Sequence, residues 1–177
     1  MRKHPLPASP ASVKLLNMIR PTLPSDTPTL IELATGTGVF KPLEIQALRE
    51  VLDDYHATNQ AQGHRSVTEC EGDRIRGFAY FAPAAMTDAT WYLYWIAIDK
   101  SLHRSGIGAQ LMAYLEEEIR RANGRLLLIE TSSLDHYRPT RSFYVKRGYQ
   151  QAGVISDFYA DGDSMVIFAK RMRDSAG

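Results

Sequence analysis

The 177-residue sequence holds a single cysteine, Cys70. One cysteine can neither close an intramolecular disulfide nor build a cysteine-based zinc site. At a strand position it reads as a small, apolar, half-buried residue. Long hydrophobic runs are missing too: no stretch approaches the roughly 20 apolar residues of a membrane span. Near the start, Pro5, Pro7, Pro10, Lys14 and Asn17 interrupt every candidate for the apolar core of a signal peptide. The expectation is a cytoplasmic protein with no membrane partner. An excess of either charge is also lacking, since 21 Lys and Arg stand against 20 Asp and Glu, a formal net charge of +1. That excludes attachment to nucleic acid by bulk charge. His4, His56, His64, His103 and His136 are scattered without paired ligand spacing on any helix, so no metal is expected.

What remains is ordinary globular usage, 44% apolar and 23% charged, on a length that suits one domain. Residues 1–17 read as a flexible, proline-bearing arm and residues 18–177 as the domain. Met18–Arg20 reads as a short strand. Ser25 or Asp26 is placed to cap a helix carrying Leu30, Ile31 and Leu33, and the glycine-bearing segment Ala34–Val39 reads as a loop. Pro42–His56 repeats apolar residues at helical spacing, and Asn59–Gly63 breaks the pattern. Ser66–Glu69 and Ile75–Phe81 read as strands joined at Gly72-Asp73.

The centre is the most apolar part. Trp91–Ile98 carries large residues at almost every position, the pattern of a strand covered on both faces. A glycine turn follows. Then Ile107, Leu111, Leu115 and Ile119 recur every fourth residue, predicting an amphipathic helix that ends at Asn123-Gly124. Leu126–Glu130 reads as another buried strand, Pro139–Arg147 as a short helix stopped by Gly148, and Val154–Tyr159 with Met165–Phe168 as a last hairpin turning at Asp161-Gly162. The order predicts a mixed α/β (α+β) fold with one strand–helix–strand crossover, Trp91 to Glu130.

The sharpest feature is His103-Arg104-Ser105-Gly106-Ile107-Gly108-Ala109, between a buried strand and an amphipathic helix. Unpaired N–H groups and a positive dipole end favour an anion there, and glycine lets a phosphate approach. Arg104 adds charge. A glycine turn that only permits tight packing reads equally well from these residues alone. A dinucleotide fingerprint fails because Leu111 stands where the third glycine belongs, and no Gly-Lys-Ser or Gly-Lys-Thr is present for a P-loop.

From Ile96 to Met112 the sequence resembles the acyl-CoA-binding motif of the GNAT superfamily of N-acetyltransferases, with His103 at the usual Arg/Gln position. Arg141-Ser-Phe-Tyr-Val-Lys-Arg-Gly-Tyr149 resembles the Phe-Tyr-x-x-x-Gly-Phe/Tyr segment of that superfamily. Ile19–Ile31 resembles its opening strand and helix. The likeness runs from Met18 to Lys170. It implies a mainly antiparallel central sheet flanked by helices, and direct transfer of acetyl from acetyl-CoA, a co-substrate, to an amine. No covalent intermediate is implied, because Cys70 lies outside the implied site. By the resemblance, the backbone of Ile96, Ala97 and Ile98 would pair with the pantetheine amides. Residues 103–109 would cradle the pyrophosphate. Tyr137, standing where the family often has Asn, and Arg141 would also fall on the cofactor side. Tyr144 matches the tyrosine near the CoA sulfur, and a phenol of pKa about 10 holds a proton to donate at neutral pH. Homodimers are common in the family.

Glu130 ends a buried strand, where open sheets present their ligand crevice. It serves as base or counter-ion to an ammonium, or bonds to Thr131 and Ser132. Asp157 and Tyr159, two apart, share a strand face. With Glu130 and one of the central aromatics, Tyr94, they would form an acidic, aromatic-lined site for a small cationic amine. Two other readings compete with this one. One is an acyl-CoA-binding module without catalysis. The other is an S-adenosylmethionine methyltransferase, whose first motif Leu30–Gly38 resembles.

Overall fold

The computed structural model describes residues 17 to 173, so most of the expected arm lies outside the described residues. Seven strands form one sheet in the order β1-β2-β3-β4-β5-β7-β6. They are β1 (Asn17–Pro21), β2 (Arg65–Glu71), β3 (Arg74–Pro83), β4 (Thr90–Ile98), β5 (Leu126–Ser132), β6 (Gln150–Ala160) and β7 (Asp163–Arg171). Every neighbouring pair is antiparallel except β4 and β5. Those two are joined by the predicted crossover through α3 (Ile107–Arg121). The helices are completed by α1 (Thr27–Thr37), α2 (Pro42–Ala57) and α4 (Arg138–Lys146). The expected mixed, mainly antiparallel sheet with flanking helices is what forms. Among the described residues no helix is long and apolar enough to cross a membrane.

Helices cover both faces of the sheet, which is why β3 reads as a nearly continuous buried run. On one face Ile107, Leu111, Leu115 and Ile119 of α3 meet Ala79, Phe81, Leu93 and Ile129. On the other, Leu30, Ala34, Leu48 and Leu52 of α1 and α2 meet Phe78, Tyr80 and Ala97. A fully buried aliphatic side chain contributes about 1.5–3 kcal/mol, several times the propensity differences between ordinary helix residues. Packing of the apolar stripe, rather than local preference, therefore holds α3 in place. Its end follows the sequence: Asn123 takes φ 57 and the Gly124 N–H reaches the Ile119 carbonyl at 2.8 Å.

The segment Ala34–Val39, expected as a loop, is largely helical. Ala34 is fully buried. The Thr35 and Thr37 hydroxyls donate to the Ile31 and Ala34 carbonyls, each at 2.7 Å. These contacts outweigh the helix penalty of Gly36, and Gly38 at φ 70 then caps the helix. Gly36 and Gly38 thus end a helix instead of following a strand, which removes the methyltransferase reading.

Candidate active site

The site is opened by a parting in the middle of the sheet. β4 and β5 pair only from Thr90↔Leu126 to Leu93↔Ile129. Beyond that point β4 stays with β3 while β5 continues along β7. A register shift puts Tyr80 opposite Trp95 and Phe81 opposite Leu93, leaving Tyr94 as the extra residue of a β-bulge. Bulges bend a strand and re-aim its side chains. Tyr94 is accordingly exposed at the heart of an otherwise covered strand. From Tyr94 to Ile98 the β5-facing backbone of β4 has no strand partner, so these N–H and C=O groups are free to bind an extended amide chain. The Ile98 carbonyl is an exception, since His103 Nε2 lies 3.1 Å from it.

At the far end of β4, Arg104 takes φ 67 and Gly106 takes φ 90 as the N-cap of α3. The helix ladder begins with Gln110 N–H to the Gly106 carbonyl at 3.0 Å. The N–H groups of Ile107, Gly108 and Ala109 precede that bond and point out of the helix end, a ready anion cradle. Ser105 and Arg104 are exposed beside it. A Cβ on Gly108 would come 3.3 Å from Ile98 Cδ1 and 3.5 Å from Phe143, so this glycine lets α3 sit tightly against β4 and α4.

Where β4 and β5 part, a cavity of about 360 Å³ opens. β4 gives it Tyr92, Tyr94 and Trp95, and β5 gives Glu130, Thr131 and Ser132. Tyr159 of β6, Tyr137 before α4 and Asp163 of β7 close one side, and Phe40, Lys41 and Glu44 at the start of α2 close the other. Desolvation pushes the Glu130 carboxyl above the ordinary glutamate value. Burial, followed by the charges of Glu130, Asp163 and Glu44, pushes the Tyr159 hydroxyl up to about 12. Tyr137 is raised to about 12 by burial and then by Glu44 and Asp163. The phenols thus report burial first, with the neighbouring carboxylates adding to it.

Tyr144 is buried between Tyr149 and Phe168, ring centroids 5.8 Å from each. It belongs to the core cluster packed under α3, 3% exposed, and is not among the residues that line the cavity described above. Burial raises its pKa, which keeps the proton on oxygen across the working range.

Of the residues expected on the acceptor side, Tyr94, Glu130 and Tyr159 come together. Asp157 does not join them. It sits at φ 52 within a register irregularity of β6, and its Oδ1 accepts from the Gly162 N–H at 2.9 Å. The simple alternation that would put it on the face of Tyr159 is broken there. Two residues expected on the cofactor side lie elsewhere. Tyr137 lines the cavity beside Glu130 and donates to the Val39 carbonyl at 3.3 Å. Arg141 Nη1 donates to the carbonyls of Ser132 and Leu134 at 2.6 and 3.0 Å, which commits it to the loop before α4.

The model of the GNAT acetyltransferase domain matches residues 61–151. The chain belongs to the GNAT acetyltransferase family. A GNAT-family protein from Desulfovibrio desulfuricans shares 33% identity over 89% of this chain and all of its own, with a TM-score of 0.86. The Escherichia coli ribosomal-protein-S18-alanine N-acetyltransferase has the same fold at 18% identity (TM-score 0.73, 91% of this chain, 97% of that one). So does an aminoglycoside 6'-N-acetyltransferase solved with coenzyme A, at 20% identity (TM-score 0.71, 90% and 99%). A search of curated proteins returned no match. The protein is an acetyl-CoA-dependent N-acetyltransferase. The parting of β4 and β5 and the glycine turn entering α3 are where this GNAT domain leaves backbone groups free.

Sequence reading gave no acceptor role to the wall residues Phe40, Lys41, Glu44 and Asp163. Asp163 stands just past the Asp161-Gly162 turn and carries no signal of its own. The α1–α2 connection gave no signal, because only the fold lays it across the end of β5.

Proposed function

We propose that this GNAT enzyme acetylates the primary amine of a small cationic acceptor held in the cavity beside Glu130. The carrying observation is the position of Glu130 among Tyr94 and Tyr159 at the point where β4 and β5 separate. Carboxylates and aromatic faces are what an organic ammonium binds. The cavity suits a small molecule more than a protein chain, since at about 360 Å³ it has the size of a small-ligand pocket. Among the fold relatives, one is named for aminoglycosides and one for an alanine of a ribosomal protein.

In this reading the pantetheine arm of acetyl-CoA lies along Tyr94–Ala97 and its pyrophosphate on the N–H groups of residues 107–109, with Arg104 and Ser105 alongside. The neutral amine nitrogen attacks the thioester carbonyl carbon. Free β4 N–H groups stabilise the developing oxyanion. The new C–N bond forms as the C–S bond breaks. Glu130 holds the arriving ammonium and takes its proton, directly or through water; Tyr144 gives a proton to the departing sulfur, and the second proton lost by the new amide nitrogen returns through water to Tyr144. Transfer is direct, because the lone Cys70 is buried in β2, away from the cleft.

The test is an amine screen with acetyl-CoA, following free thiol and the mass gain of one acetyl group on the acceptor. Turnover of small amines and not of peptide N-termini is expected. Turnover confined to peptides would overturn this reading.

A further inference from the structure

The floor and rim of the cavity carry three carboxylates, Glu44, Glu130 and Asp163, and one cationic side chain, Lys41. A single ammonium at Glu130 leaves that imbalance in place. The second carboxylate that a ligand could use is Asp163. Its side chain is only 6% exposed. Ser132 Oγ donates to its Oδ1, and Arg141 fixes the Ser132 carbonyl from behind. Oδ2 is left with Lys41 Nζ at 3.6 Å.

This pair is unequal. Asp163 is desolvated and held in one geometry, so it has already lost its water and gains most from a cation at hydrogen-bond distance. Lys41 is 61% exposed and stands beyond that distance. An ion pair that long and that wet is weak, and its lysine returns to water at little cost. Lys41 thus supplies, from within the chain, an ammonium where a stronger one would fit.

Glu130 and Ser132 are two apart on β5 and share a face, about 7 Å along the strand. The two anionic positions are therefore spaced for one short molecule with a positive group at each end. Phe40, Tyr92, Trp95, Tyr137 and Tyr159 supply walls between them.

We propose that the acceptor is a short dication, its reacting amine at Glu130 and its second ammonium at Asp163 in place of Lys41, with Asp163 and Lys41 setting specificity. This rests on the amine-acceptor reading above. The Asp163 end selects, and the Glu130 end reacts.

Diaminobutane and butylamine differ only in the second ammonium, and comparing their kcat/KM values tests the proposal. The enzyme is expected to favour the diamine about ten-fold, the scale of one charge-assisted hydrogen bond. Asp163→Asn is expected to collapse that preference through the KM of the diamine. Lys41→Ala, an exposed change that does not threaten folding, is expected to raise the preference roughly two- to five-fold by removing the competing cation. Equal use of both amines by the native enzyme overturns the proposal and leaves the amine-acceptor reading standing. A diamine preference that neither variant moves also overturns it. Absence of thiol release with every small amine tried overturns the amine-acceptor reading itself, and the dication with it.

Discussion

The Tyr137 hydroxyl donates to the Val39 carbonyl at 3.3 Å, joining the approach to α4 to the α1–α2 connection across the acceptor cavity. The weak Lys41–Asp163 ion pair lies beside it. The connection is thereby fixed as one wall of the site. Tyr137→Phe removes one tie and keeps the ring. A neutral hydrogen bond contributes about 0.5–1.5 kcal/mol, so KM for the acceptor should rise roughly two- to ten-fold. KM for acetyl-CoA should not change, because Tyr137 faces the acceptor side. Steady-state kinetics with each substrate varied in turn distinguish this from a general loss of folding.

On the proposed mechanism, Glu130 governs the acid side of the pH profile. Burial raises its pKa above the ordinary glutamate value. Its carboxylate is the active form, so kcat/KM should fall as pH drops through that raised value rather than through the unperturbed one. Glu130→Gln should lower kcat/KM about a hundred-fold and erase that limb. The linked effect on stability has a definite sign. Between the unfolded and folded pKa values the folded state holds more protons, so stability declines as pH rises through that window and is level above it. Glu130→Gln should remove this slope in thermal melts taken across the window.

Tyr144→Phe separates chemistry from packing. Burial alone raises the phenol's pKa, with no hydrogen bond contributing, so loss of the hydroxyl orphans no donor or acceptor. Stability should change by less than about 0.5 kcal/mol. Loss of a general acid should reduce kcat by roughly a hundred-fold or more while acetyl-CoA affinity holds. A variant with native turnover would remove Tyr144 from the mechanism.

Gly106 is required by conformation and not by space. At φ 90 a Cβ there would meet nothing within 4 Å. Alanine at this dihedral costs about 1–2 kcal/mol, and the same strain tilts the N–H groups that open α3. Gly106→Ala should lower Tm by about 2–8 °C and shrink the further rise that acetyl-CoA produces. Gly106→Asn should recover part of both, because asparagine tolerates left-handed backbone. Equal losses from both variants would mean that the cause is something other than backbone strain.

Much of this enzyme is written locally. The four-residue repeat of Ile107, Leu111, Leu115 and Ile119, the unbroken apolar run of β4 and the turn at Gly106 and Gly108 each follow from short-range rules. They fix the crossover unit and the anion-binding helix end. Glu130 was legible for the same reason, as a charge ending a buried strand. What lay beyond the sequence arises where distant segments meet. The bulge that exposes Tyr94 depends on its register with Tyr80 and Phe81. The turn of Asp157 away from the cavity follows from an irregular hairpin. The helical state of Ala34–Thr37 is set by burial against β3. Lys41 and Asp163, 122 positions apart by their numbers, become neighbours only because α2 starts beside the end of β5. Periodicity and turn chemistry act over a few residues, and so a single chain segment reveals them. An acceptor site is a closure of several segments on one point, and which side chains face that point is decided by packing alone.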